Sequence, residues 1–171
     1  MSQITPPVLG SGAELSADLR YRWKLSRRWG PGGTVNFIML NPSTADALVD
    51  DPTIRRCVRF ARDWGHGGLV VTNLYGWRAT DPRELSATLD PVGSENDGYI
   101  NGVAATADVV VCAWGARGGS RAIEIAKRLA WLDLRCLGVT KEGHPRHPLY
   151  VPAGVLHTRY PPTRTSEEKH G

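Results

Sequence analysis

The chain has no long apolar run and no leader of basic, then apolar, then small residues, so neither a membrane-spanning helix nor secretion is expected. Cysteine is scarce. Cys57, Cys112 and Cys136 stand far apart in 171 residues, each inside an apolar pattern, where a small buried hydrophobe is the plain expectation. With no Cys-x-x-Cys pair, nothing suggests zinc or an iron–sulfur cluster, and no metal or cofactor is expected. An odd number of thiols and no leader point to a reducing cytoplasm. Internal repeats are lacking as well. Net charge is +4 and pI near 9.2, a surplus small enough to be compatible with a DNA or nucleotide partner without requiring one.

What is present fits one domain with a substantial core, placed at residues 1–160, with 1–13 as a flexible arm and 161–171 as a disordered tail. Tyr21 to Arg27 alternates apolar and polar residues, as an edge strand or small hairpin with one buried face does. Val35 to Leu40 is an apolar run that stops at Asn41-Pro42, because proline brings no N–H to a sheet ladder. Asp51-Pro52 offers an N-cap and a first-turn proline. Ile54, Cys57, Val58, Ala61 and Trp64 then recur at helical spacing until Gly65. Further strands are expected at 68–75, 108–114 and 134–139, with a short helix capped by Thr80 or Asp81 and longer ones ending near Ala105 and beginning near Gly118. This alternation predicts a three-layer α/β/α fold around a mainly parallel four-stranded sheet.

In such sheets ligands bind beyond the carboxyl ends of the strands. The four loops there supply Asn41, Ser43 and Asp46; then Asn73, Trp77 and Arg78; then Trp114 and Arg117; then His144, Arg146 and His147. Amides, a carboxylate, imidazoles, tryptophans and arginines converging on one rim exceed what turns alone require. Each also has an ordinary explanation. Asn and Ser satisfy their own turns, histidines hydrogen-bond in proline-rich loops, and tryptophans fill cores. The basic face of Arg55, Arg56, Arg59 and Arg62 reads first as a solvated helix face and second as a track for phosphates. Gly115 to Arg121 is glycine-rich before a helix, suiting either a tight turn or an anion, but it lacks the register of a P-loop.

The order of these motifs resembles the uracil-DNA glycosylase superfamily. Leu40-Asn-Pro-Ser43 is similar to its first motif, Val71 to Pro82 to its second strand with a base-reading Asn at Asn73, and Val109 to Gly115 to its third core strand. His144-Pro-Arg-His-Pro-Leu149 resembles its late histidine motif. The pattern over nearly the whole chain, from Leu-Asn-Pro-Ser-Thr-Ala-Asp to His-Pro-Leu-Tyr, looks closer still to domain-of-unknown-function family 1643, which carries no assigned activity.

The glycosylase resemblance implies hydrolysis of an N-glycosidic bond to a damaged or modified base flipped out of DNA. It implies that His147, or else His144, faces the base, with Asn73 pairing to it and Trp77 or Trp114 stacking on it. Asn41 would orient water and Asp46 serve as the nearest carboxylate, while Ser43, Arg78, Arg117 and Arg146 would hold substrate. Three departures stand out. Asn41 replaces a water-activating Asp, no aromatic follows Pro42, and an extra residue separates the prolines of the late motif. A non-catalytic nucleic-acid or nucleotide binder, or an enzyme on a free nucleotide or nucleoside, is the alternative.

Overall fold

The computed structural model describes residues 10–162. The expected buried strands form β3 (Thr34–Met39), β4 (Gly68–Asn73), β5 (Val109–Cys112) and β6 (Leu134–Cys136), after β1 (Gly10–Leu15) and β2 (Arg22–Arg28) and before β7 (Thr158–Arg159). They make one sheet in the order β1-β2-β4-β3-β5-β6-β7. The central strands β4, β3, β5 and β6 pair in parallel, and β1, β2 and β7 are antiparallel additions at the two edges.

The sheet is therefore a mixed one of seven strands and not of four. Of these additions, β2 answers to the edge strand or hairpin expected over Tyr21 to Arg27 and pairs with β1, whereas β1 and β7 themselves carry little local signal. Gly10 to Ala13, expected in a loose arm, pair with Arg28 to Leu25 although Gly-Ser-Gly has no apolar period. β7 is two exposed residues held by β6. Residues 1–9 of the expected arm and 163–171 of the expected tail lie outside the described residues. β2 also departs from a simple alternation. The ladder with β1 shifts between Glu14 and Leu15, so Arg22 and Trp23 are buried together.

Helices cover both faces. α1 (Pro52–Asp63) starts where Asp51 Oδ1 accepts from the Ile54 N–H at 2.9 Å, and packs Ile54, Cys57, Phe60 and Ala61 against Leu25, Val35, Phe37 and Val71. α2 (Asn96–Thr106) and α3 (Gly119–Arg128) lay Ile100, Ala104, Ile125 and Leu129 on Ile38, Val110, Cys112 and Leu134. Burial of each large side chain in these layers contributes roughly 1.5–3 kcal/mol. Cys57, Cys112 and Cys136 are free and buried within them. Among the described residues no helix is long and apolar enough to cross a membrane.

The helix expected after Asp81 is a 3-10 segment, Pro82–Ala87, capped by the Asp81 side chain on the Arg83 N–H. Glycine at 118 answers to packing. A Cβ there would lie 2.5 Å from the Ala122 Cβ and 3.0 Å from the Trp114 ring, so the turn into α3 needs its absence.

Candidate functional site

Parallel pairing sends the ends of β3, β4 and β5 to one rim. The antiparallel direction of β2 brings its first residue, Arg22, to the same rim. A cavity of about 450 Å³ opens there. Its wall includes Asn41 and Ser43 from the loop after β3, Asn73 from the tip of β4, Trp114 and Arg117 after β5, and His147 from the late loop. Asp51, Thr53 and Ile54 from the start of α1 complete it, with Arg22, Thr80, Leu149 and Tyr150.

Three of the rim residues have identifiable contacts or surroundings. Asn41 spends its amide N–H groups on the carbonyls of Ala79 at 2.7 Å and Pro42 at 3.1 Å, which leaves Oδ1 as the atom it can offer a ligand. Asn73 is 1% exposed, and its Oδ1 is enclosed without a hydrogen-bond partner. Buried amides of that kind are rare unless something completes them. Trp114 is buried and meets Tyr160 edge-on at 5.8 Å.

The Leu149 N–H donates to His147 Nδ1 at 3.2 Å, so the neutral imidazole carries its proton on Nε2. Burial holds the His147 pKa below the ordinary 6.5, with the negative charge of Asp51 acting in the opposite sense. The ring is therefore neutral near pH 7, with a donor to offer.

Several expected residues lie elsewhere. Asp46 is not in the cavity wall; its carboxylate accepts from the Leu48 and Val49 N–H groups at 2.8 Å each, bonds that hold its pKa below the usual carboxylate value. His144 sits beyond the cavity in a turn where its N–H donates to Thr140 Oγ1 and its carbonyl accepts from the Thr140 N–H. Trp77 packs edge-on against Tyr21 at 5.4 Å, and Arg78 reaches the Leu19 carbonyl. Arg146 is exposed over Gly138. On α1, Arg59 pairs with the exposed Asp63, and Arg62 lies over the Trp29 ring at 5.0 Å.

Two charged residues of the wall escaped the sequence reading. Asp51 registers there only as a helix cap, yet among the described residues it is the one carboxylate lining the cavity. Arg22 registers as the polar half of an alternating strand, yet it is 2% exposed, and burial pulls its pKa down to about 10, with Asp51 acting against the shift. The antiparallel start of β2 at the rim is the only clue, and it needs the sheet order to be read. Among the described residues, no group of three or more His, Cys, Asp or Glu is arranged to hold a metal ion.

Residues 22–149 match a family described as Protein of unknown function (DUF1643). The chain belongs to that family. The DUF1643 segment begins at Arg22 and ends at Leu149, and all of the cavity wall except Tyr150 falls inside it. The cavity is thus built almost wholly from the family's own segment. No curated protein and no solved structure matches the chain.

Proposed function

We propose that this DUF1643 protein is a nucleobase-directed N-glycosidic hydrolase of uracil-DNA glycosylase-like architecture, acting on a damaged or modified base turned out of DNA. The observation that carries the reading is the convergence of Asn41, Asn73 and His147 on one cavity with an open amide acceptor, an enclosed amide oxygen and a neutral imidazole donor.

The chemistry follows from what must be stabilised. The C1′–N bond breaks toward an oxocarbenium-like sugar, and the bonding electron pair leaves with the base. A hydrogen bond from His147 Nε2–H to that growing negative charge is stronger in the transition state than in the ground state. Water then supplies its oxygen to C1′, oriented by Asn41 Oδ1. Its proton has an acceptor in Asp51, the carboxylate in the wall, whose charge also favours the cationic sugar. Asn73 pairs with the base edge, and Trp114 offers a flat apolar surface beside it.

Oligonucleotides bearing uracil, hypoxanthine or modified pyrimidines, incubated with the protein and then heated in alkali, test this. Strand breaks at the marked base are expected, and His147→Ala should lower their rate by about 10²–10³-fold, the usual cost of one such donor. A second reading, action on a free nucleotide, is favoured by one feature, the buried Arg22 in the wall.

A further inference from the structure

We propose that Arg22 is the seat of a terminal phosphate inside the cavity, so that the small molecule bound there is a nucleoside monophosphate. The nucleoside half of that statement rests on the second reading above, action on a free nucleotide; the anion seat rests on Arg22 itself.

A guanidinium carries five N–H donors. At Arg22 one hydrogen bond is made, from Nη1 to the Ala45 carbonyl at 2.7 Å, and Nε is enclosed with no partner. No carboxylate forms an ion pair with it among the described residues; Asp51 and Asp46 act only at longer range. The other two arginines buried among the described residues differ. Arg27 is served by Asp50 and by the carbonyls of Ser26 and Asp46. Arg121 is served by the Leu74 carbonyl, Asp97 and Glu124.

A cation taken out of water without a partner is costly, and an anionic ligand would supply the missing one. Among the described residues the charged ones in the wall are Arg22, Arg117 and Asp51, which leaves one net positive charge with His147 neutral. An anion is therefore favoured over a cation.

Phosphate suits the place because its several oxygens accept the arginine fork and leave room for neutral donors. Ser43 and Thr53 line the same cavity, and their hydroxyls are engaged by no other group among the described residues. The phosphate must be terminal because Arg22 is 2% exposed. A diester continues as chain on both sides and needs an open cleft, whereas a monoester reaches a recessed cation as a dead end.

The test is calorimetric titration of the intact protein with the 2′-deoxynucleoside 5′-monophosphates of adenine, cytosine, guanine, thymine and uracil, with the matching nucleosides, and with inorganic phosphate. At least one monophosphate should bind about tenfold or more tightly than its nucleoside, with inorganic phosphate competing. Arg22→Gln should erase that advantage, while Arg22→Lys retains part of it.

Equal affinity for monophosphate and nucleoside in the wild-type protein overturns the seat whether or not the variants fold, as does the absence of monophosphate binding. An advantage that survives in Arg22→Gln overturns it too. Tighter binding of an oligonucleotide lacking terminal phosphates overturns the claim that the phosphate is terminal. Failure of base release alone removes the hydrolase reading and leaves the seat standing.

Discussion

Asn96 donates from Nδ2 to the carbonyl of Asn73 at 2.8 Å, and to that of Leu74 at 3.1 Å. A fully buried amide at the start of α2 thus clamps the tip of β4, from which Asn73 faces the cavity. Asn96→Ala leaves the Asn73 carbonyl without that donor, whereas the Leu74 carbonyl keeps Arg121 Nε at 2.9 Å. Chemical denaturation should show a loss of about 1–3 kcal/mol. An unchanged midpoint would mean that water replaces the amide and the clamp has no mechanical role.

Asp51 holds two positions at once, cap of α1 and carboxylate of the cavity. Two substitutions separate them. Asp51→Asn preserves a good cap and removes the charge, so stability should change by only a few tenths of a kcal/mol, while base release falls steeply. Asp51→Ala removes the cap as well and should cost about 1 kcal/mol in addition. Equal base release by Asp51→Asn and wild type would take the carboxylate out of the chemistry.

Asn41→Asp puts a second carboxylate in the cavity wall, yet no gain in rate is expected. Both amide N–H groups of Asn41 point at carbonyls, Ala79 at 2.7 Å and Pro42 at 3.1 Å. A carboxylate oxygen in that place would face two acceptors with no proton between them. Thermal melting should fall, by an amount equivalent to about 1–3 kcal/mol. A variant that is both as stable and faster would show that the loop turns freely.

The lowered pKa of His147 has a consequence for stability. Because burial pushes the folded value below the ordinary 6.5, the unfolded chain takes up a proton at higher pH than the folded one. The contribution is present above about 6.5 and is lost as pH falls from there toward the folded pKa. His157 is shifted in the same direction, by burial and then by Arg135 and His66. Denaturation midpoints between pH 7 and 5 should therefore slope less in His147→Gln than in wild type, without becoming flat. An identical slope would mean a solvated imidazole.

Rim positions beside a strand end are legible from sequence; further along the loops some still line the cavity, as Ser43 and Arg117 do, and others do not. Asn73 ends its strand and Asn41 and Trp114 follow theirs by two residues, so parallel pairing fixes where they lie. Asp46, Trp77 and Arg78 come further along, and there the loop's own hydrogen bonds decide. Asp46 turns inward to Leu48 and Val49, and the Arg78 N–H donates to the Arg20 carbonyl.

The two histidines divide for a similar reason. The bridge between Val139 and Pro145 and the bond from the Arg146 N–H to the Gly138 carbonyl project His144 outward in a turn and return the chain to the rim at His147. Nothing local in the sequence distinguishes them. Arg22 is the opposite case, a residue whose place depends on β2 lying antiparallel beside β4, a pairing about 45 residues away in sequence.

Free base provides the most direct measurement. Wild-type protein and His147→Ala are incubated with oligonucleotides carrying uracil, hypoxanthine or modified pyrimidines, and with 2′-deoxynucleoside 5′-monophosphates, and the liberated base is quantified by liquid chromatography. Time-dependent release by the wild-type protein, lost in a folded His147→Ala variant, is the expected result. No release from any of these substrates, or release that survives without the imidazole, would contradict it.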